Sequence, residues 1–229
     1  MYDVRPNLII GFHGCDEVVC HSLINNPDSI KISQEPFDWL GHGMYFWENN
    51  YERALSWALE KQRRGRINKP AVIGAVISLG NCCDFLDSRN TRILEVNYFK
   101  MYSTHSKLGK ALPENRDVAN DEHKDKLLRY LDCAVIEFMH EEIDKLTTSD
   151  VFTKGFSDYE LFDSVRGAFM EGGPAFKGSG ISKKSHIQIA IRNPNCIKGF
   201  FLPRREVNYT KWYGEKLRAT NTHSHTSVN

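Results

Sequence analysis

The 229-residue sequence predicts an α+β fold, on three observations. Apolar or alternating runs mark strands near residues 8, 45, 72, 84, 188 and 199, helical periodicity falls between the early ones, and the last two strands read as a hairpin. That irregular order differs from the strict strand–helix alternation of a doubly wound sheet. No G-x-G-x-x-G follows a strand and no Walker A loop is present, so a nucleotide, if bound, is held some other way.

Taken in order, Asn7 to Phe12 (NLIIGF) is a first strand running into His13-Gly14. Cys15 to Asn26 is a helix, with Asp16 and Glu17 in its first turn, where negative charge suits the dipole. A loop with NNPDS turn chemistry follows. Asp38 to Ala58 then combines Gly41 and Gly43, four large side chains (Met44 to Trp47), Asn49-Asn50 as caps, and a helix carrying Ala54, Leu55, Trp57 and Ala58. The basic cluster at 61–66 suits the C-terminal end of that helix.

Ala71 to Leu79 is a nearly unbroken apolar run and predicts a central strand, with a short one at Cys82 to Leu86. Thr91 to Ser103 is helical, and His105 to Val118 is a surface loop. The strongest helix is predicted over about Asp121 to Leu146, with a stripe including Leu127, Leu128, Leu131, Val135, Phe138, Met139, Ile143 and Leu146. Tyr159 to Met170 reads as a short helix or turn, and Glu171 to Lys184 as a flexible loop rich in Gly, Ser and Lys. His186 to Arg192 alternates as a half-buried strand, and Cys196 to Leu202 is expected to pair back on it. The tail from Arg218 has too little apolar content to pack and is expected to be disordered.

Composition narrows the classes. Apolar content of 41% is ordinary for a globular chain able to bury a core. A net charge of +1 lacks the basic excess of a protein living on phosphate contacts. No apolar run approaches the roughly 20 residues that cross a bilayer, and the N-terminus has no signal-peptide pattern, so the expected setting is cytoplasmic with no membrane contact. Six scattered cysteines without Cys-x-x-Cys spacing read as buried free thiols, and no metal is expected.

Three pieces carry chemistry: Phe12-His13-Gly14 ending the first strand; Gly41-x-Gly43-Met44-Tyr45-Phe46 before a helix; and the late strand His186 to Pro194 after the Gly-rich loop. Together they resemble the ADP-ribosyltransferase superfamily, in its His-Tyr-Glu branch of poly- and mono(ADP-ribose) polymerases and diphtheria-type toxins. The resemblance covers about residues 8 to 58 well and 170 to 202 moderately. It implies a split antiparallel sheet flanked by helices, a single domain over 1–217 with a helical insertion at about 90–165, and a tail at 218–229.

It also implies NAD as substrate and residue roles. His13 would hydrogen-bond a ribose hydroxyl, the Gly14 backbone would hold the nicotinamide carboxamide, and Tyr45 would stack on the nicotinamide ring. Gly43 would line the same site, and the second aromatic plate falls in register at Ser56 or Trp57, which makes Trp57 its candidate. Gln188 stands where the family places its glutamate. Glu171 is the nearest replacement acid. The acceptor would be a protein, a nucleic acid or a small molecule, met by the 171–184 loop.

The chemistry is coherent without the family name. Breaking the nicotinamide–ribose bond builds positive charge on the ribose, which calls for a clamp on a flat ring, a hydrogen bond fixing the sugar, and a polar group beside the developing cation. An amide at 188 hydrogen-bonds but supplies no charge and takes no proton. The expectation is a slower enzyme, or one whose acceptor supplies its own nucleophile. Taken with the resemblance this implies mono-ADP-ribosyl transfer, with a weak or inert NAD- or ADP-ribose-binding module and an NAD glycohydrolase as the alternatives. Each residue also has a plain structural reading: a core histidine at 13, a core aromatic at 45, a polar position on a half-exposed strand at 188 and a surface loop acid at 171.

Overall fold

The computed structural model describes residues 8–119, 121–204 and 210–216. Seven strands form one sheet: β1 (Ile9–Asp16), β2 (Met44–Glu48), β3 (Pro70–Ile77), β4 (Cys82–Asp84), β5 (Ser164–Phe169), β6 (His186–Ile191) and β7 (Ile197–Phe201). Their spatial order is β4-β5-β6-β2-β1-β3-β7. Every pairing is antiparallel except β4 with β5. Four helices lie between the strands, α1 (Glu17–Asn25), α2 (Tyr51–Arg63), α3 (Ser88–Lys107) and α4 (Tyr130–Lys154), and residues 210–216 are helical as well. A mixed sheet with helices on both faces agrees with the α+β class.

Strand alternation assigns the two faces. On one, Cys15, Met44, Phe46, Ile73, Ala75, Ile77, Ile189 and Ile191 form the main core with Cys20 and Leu23 of α1. On the other, α2 seals Phe12, Trp47 and Val72 with Ala54, Leu55 and Trp57. Further along that second face, α3 and α4 cover Cys83, Val165, Ala190 and Tyr45 through Ile93, Leu94, Met139 and Ile143. Helix α2 and the α3–α4 pair therefore cover different parts of one sheet face, with Trp47 of β2 under the first and Tyr45 of β2 and Ala190 of β6 under the second.

The β1–β2 ladder is the shortest in the sheet. It contains only Gly11↔Glu48 and Phe12↔Trp47, whereas β1 and β3 pair over eight residues. The sheet is therefore nearly two sheets, β4-β5-β6-β2 and β1-β3-β7, hinged at two residue pairs.

Several elements differ from the sequence expectation. β1 continues through His13-Gly14 to Asp16, whose side chain caps α1 by accepting from the Val18 N–H. β3 lies next to the β7 edge instead of at the centre. Its apolar run reflects cover from helices on both faces. Residues 164–169, expected in a short helix or turn, form β5.

β6 and β7 are not a hairpin. A 3₁₀ turn at Pro194–Cys196 carries the chain to the far edge, where β7 pairs with β3 and Ser78 N–H donates to Cys196 C=O at 2.8 Å. The long helix starts at Tyr130 instead of Asp121 and runs on to Lys154. Before it, Asp117 and Asp121 accept backbone N–H bonds from Lys126, His123 and Asp125, and Lys124 and Lys126 have positive φ. These local side-chain bonds compete with the helix ladder, and Asn115 then caps it by accepting from Leu131 and Asp132 N–H. Helices α3 and α4 lie in the crossover that links parallel strands β4 and β5. The predicted tail from Arg218 lies outside the described residues.

All six cysteines are free thiols, five of them buried. No helix among the described residues is long and apolar enough to cross a membrane.

Candidate functional site

The site is built where the β1–β2 ladder stops. Asn49 N–H donates to Ile10 C=O at 2.9 Å, so alternation turns the N–H and C=O of Phe12 and Gly14 toward β2 as well. In register, Gly14 would face Tyr45, but the ladder ends at Phe12. The Tyr45 carbonyl instead accepts from His13 Nδ1 at 2.7 Å. The imidazole thus wedges the strands apart, leaving the Gly14 amide and carbonyl turned toward the split.

A carbonyl only accepts, so His13 carries its proton on Nδ1 and keeps an acceptor at Nε2. Burial, opposed by this bond, lowers its pKa to about 4, so the ring is neutral near pH 7. Its side chain starts on the α1 face beside Phe46, with ring centroids 5.9 Å apart. It meets the opposite face only through the split.

Gly14 is required by packing. A Cβ there would collide with the Ala54 carbonyl oxygen, so β1 and the α2 backbone touch directly. The start of α2 is set by Asn50, which accepts from Arg53 N–H at 3.0 Å.

Tyr45 and Gln188 share the face that α2 and α4 flank, because Tyr45 pairs with Ala190 and Trp47 with Gln188. The Tyr45 hydroxyl donates to Gly41 C=O at 2.8 Å and accepts from Leu40 N–H at 2.9 Å. Burial raises its pKa well above the ordinary tyrosine value, keeping it a neutral phenol. Gly43 is buried against Ala190 of β6.

Gln188 is 8% exposed, and its Oε1 accepts from Trp39 Nε1–H at 2.5 Å. An indole N–H only donates, which fixes the amide with its oxygen on Trp39 and its NH₂ group on the other side.

Trp57 does not face Tyr45. Its ring lies 6.1 Å from Trp47, and the Lys61 ammonium sits 5.4 Å over it. Glu171 is not a surface acid. It is 9% exposed, pairs with Arg53 of α2, and approaches His186 Nδ1 at 4.0 Å. Burial raises its pKa above the ordinary carboxylate value, against the lowering effect of Arg53. Its Lys184 partner in the loop backbone and the bond from Gly172 N–H to Asp125 Oδ2 (2.8 Å) hold the 171–184 segment as a closed loop.

The structure therefore brings Tyr45, Gln188 and Trp57's neighbour Trp47 onto one face, joins His13 to the Tyr45 backbone, and packs Glu171 near the β6 strand through His186. Sequence reasoning missed Trp39, Arg53 and His186. His186 was legible two positions before Gln188 on one strand face; Trp39 and Arg53 reach the site only through tertiary packing. A groove between α3 and α4, lined by residues such as Val96, Phe99, Lys100 and Glu142, includes none of these residues. Among the described residues no group of three His, Cys, Asp or Glu side chains is arranged to hold a metal.

No family profile, curated protein or solved structure matches the chain.

Proposed function

We propose that the protein binds NAD at the β1–β2 split and acts as a mono-ADP-ribosyltransferase. The supporting observation is the interrupted ladder: His13 occupies the Tyr45 carbonyl, and strand alternation turns the Gly14 amide and carbonyl toward the same split. A backbone donor and acceptor side by side match a carboxamide, which carries one of each. The neutral His13 ring offers an acceptor for a ribose hydroxyl.

In the reaction the C1′–N bond of NAD breaks and its electron pair neutralises the pyridinium nitrogen as nicotinamide leaves. A bond then forms from C1′ to the acceptor's nucleophilic atom, which loses its proton. Gln188 fixes the sugar by hydrogen bonding. The buried Glu171, 4.0 Å from His186 of β6 and with its pKa raised by burial, is the candidate base for the acceptor's proton.

The orientation of Gln188 favours a second reading, an NAD- or ADP-ribose-binding module that transfers slowly or not at all. With Oε1 on Trp39, the amide turns its positive NH₂ end away from the indole, and such an end does not stabilise a developing cation. Labelled NAD incubated with the protein and fractionated cell extract separates the readings. Transfer gives nicotinamide release and a labelled acceptor. Release without any labelled product means hydrolysis with water as acceptor, and no release at all removes the enzymatic reading.

A further inference from the structure

We infer that Glu137 of α4 is a positioning residue for the Gln188 amide, so that the helical crossover between β4 and β5 serves as the frame of the site. The inference rests on the role proposed for Gln188. One carboxylate holds two chain segments together. Glu137 Oε1 accepts from His42 N–H at 2.7 Å, and Oε2 lies 3.3 Å from His42 Nδ1. The same carboxylate takes both terminal nitrogens of Arg192, at 2.5 and 3.1 Å. Arg192 in turn donates to the His42 carbonyl at 3.1 Å, so both backbone polar groups of His42 are tied.

Each held segment carries one partner of a single hydrogen bond. Arg192 directly follows β6, which bears Gln188; His42 ends the short loop that bears Trp39. Tyr45 supports the same loop through Leu40 N–H and Gly41 C=O. Gly41 has φ +75°, and a Cβ there would collide with Glu137 Oε1 and Ile136, so the loop's glycine is what lets the carboxylate reach His42. Glu137 is partly buried, with 19% of its side chain exposed. Burial pushes its carboxyl up, but Arg192 and the His42 N–H outweigh that and hold it below the ordinary value, charged near pH 7. A bidentate guanidinium–carboxylate pair fixes direction as well as distance. Without it the Trp39 loop and the end of β6 lose their direct tie, which leaves the amide orientation to the Trp39 bond and the Tyr45 hydroxyl.

The test is Glu137→Gln, read by the Trp39 indole N–H resonance and by steady-state nicotinamide release. Four tryptophans are present, and Trp39→Phe assigns the signal. The expected result is a shifted, faster-exchanging Trp39 indole in a folded variant, with kcat lowered about tenfold or more and KM for NAD changed little. Arg192→Lys, which keeps the charge but loses the fork, should move the same resonance if Glu137→Gln does not fold. An unmoved Trp39 indole in a folded variant overturns the inference, as does a moved indole with unchanged kcat. The indole measurement needs no NAD, so a wild-type protein that releases no nicotinamide removes the proposed reaction while leaving the clamp to be judged on the resonance.

Discussion

At the scale of single residues, the decisive groups are those whose hydrogen-bonding capacity is already partly spent. Gln188 gives its oxygen to Trp39, His13 gives its Nδ1 proton to Tyr45, and the Tyr45 hydroxyl is used in both directions. Tyr45→Phe should therefore leave Leu40 N–H and Gly41 C=O without their partner and cost about 1–3 kcal/mol in a denaturant titration; an unchanged midpoint would mean water replaces the hydroxyl freely. Gln188→Glu keeps an acceptor for Trp39 Nε1–H and adds a negative charge beside the proposed oxocarbenium centre. Nicotinamide release should persist or rise in this variant. Complete loss in a folded protein would show that the amide is specifically needed. The sequence made His13, Tyr45 and Gln188 visible as residue types in a suggestive order. It could not show that Gln188 is oriented by Trp39, because that bond joins positions 149 apart in sequence.

At the scale of elements, α2 and α4 shape the site in different ways. Helix α2 meets β1 backbone to backbone at Gly14, so Gly14→Ala must push them apart, at a cost of about 1–3 kcal/mol. Thermal unfolding should show it, and a variant as stable as wild type would contradict the close packing. The α2 start was legible from Asn49-Asn50, since capping is local chemistry. The α4 start was not: the apolar stripe extended back to Leu127, while the aspartate turns at 117 and 121 and the cap from Asn115 set the true boundary.

Helix α4 also buries His140, packed edge-on against Phe162, and burial lowers its pKa to about 3. Arg192 and His42 act in the same direction as burial and Glu137 against it. His186 on β6 is lowered to about 4 by burial, against its bond to the Lys184 carbonyl. Both folded values lie below the ordinary 6.5, so the unfolded chain binds more protons and stability falls as pH drops from about 6.5 toward 4. Each such histidine contributes a slope of about 1.4 kcal/mol per pH unit inside that window. The urea midpoint should fall between pH 7.5 and pH 5, and His140→Phe should flatten the dependence. Equal midpoints at the two pH values would contradict the neutral burial of these rings.

At the scale of the whole molecule, the sheet is two halves joined by two residue pairs, with the proposed ligand placed where they part. The α+β class could be read from the sequence because strand and helix periods are local. The topology could not. Adjacent strands in sequence usually pair, so β6 and β7 read as a hairpin, yet the chain crosses to the opposite edge. Likewise β5 was hidden because SVRGAF is a short run whose central Arg166 is buried only by pairing with Glu48 and Asp84. The central claim is that NAD lies at this split against Tyr45 and His13. Calorimetric titration of NAD into wild type, Tyr45→Ala and His13→Ala, each checked for folding by circular dichroism, tests it most directly. Saturable binding by wild type, weakened about tenfold or more in both variants, is the predicted result; no binding by wild type, or equal affinity in folded variants, would contradict it.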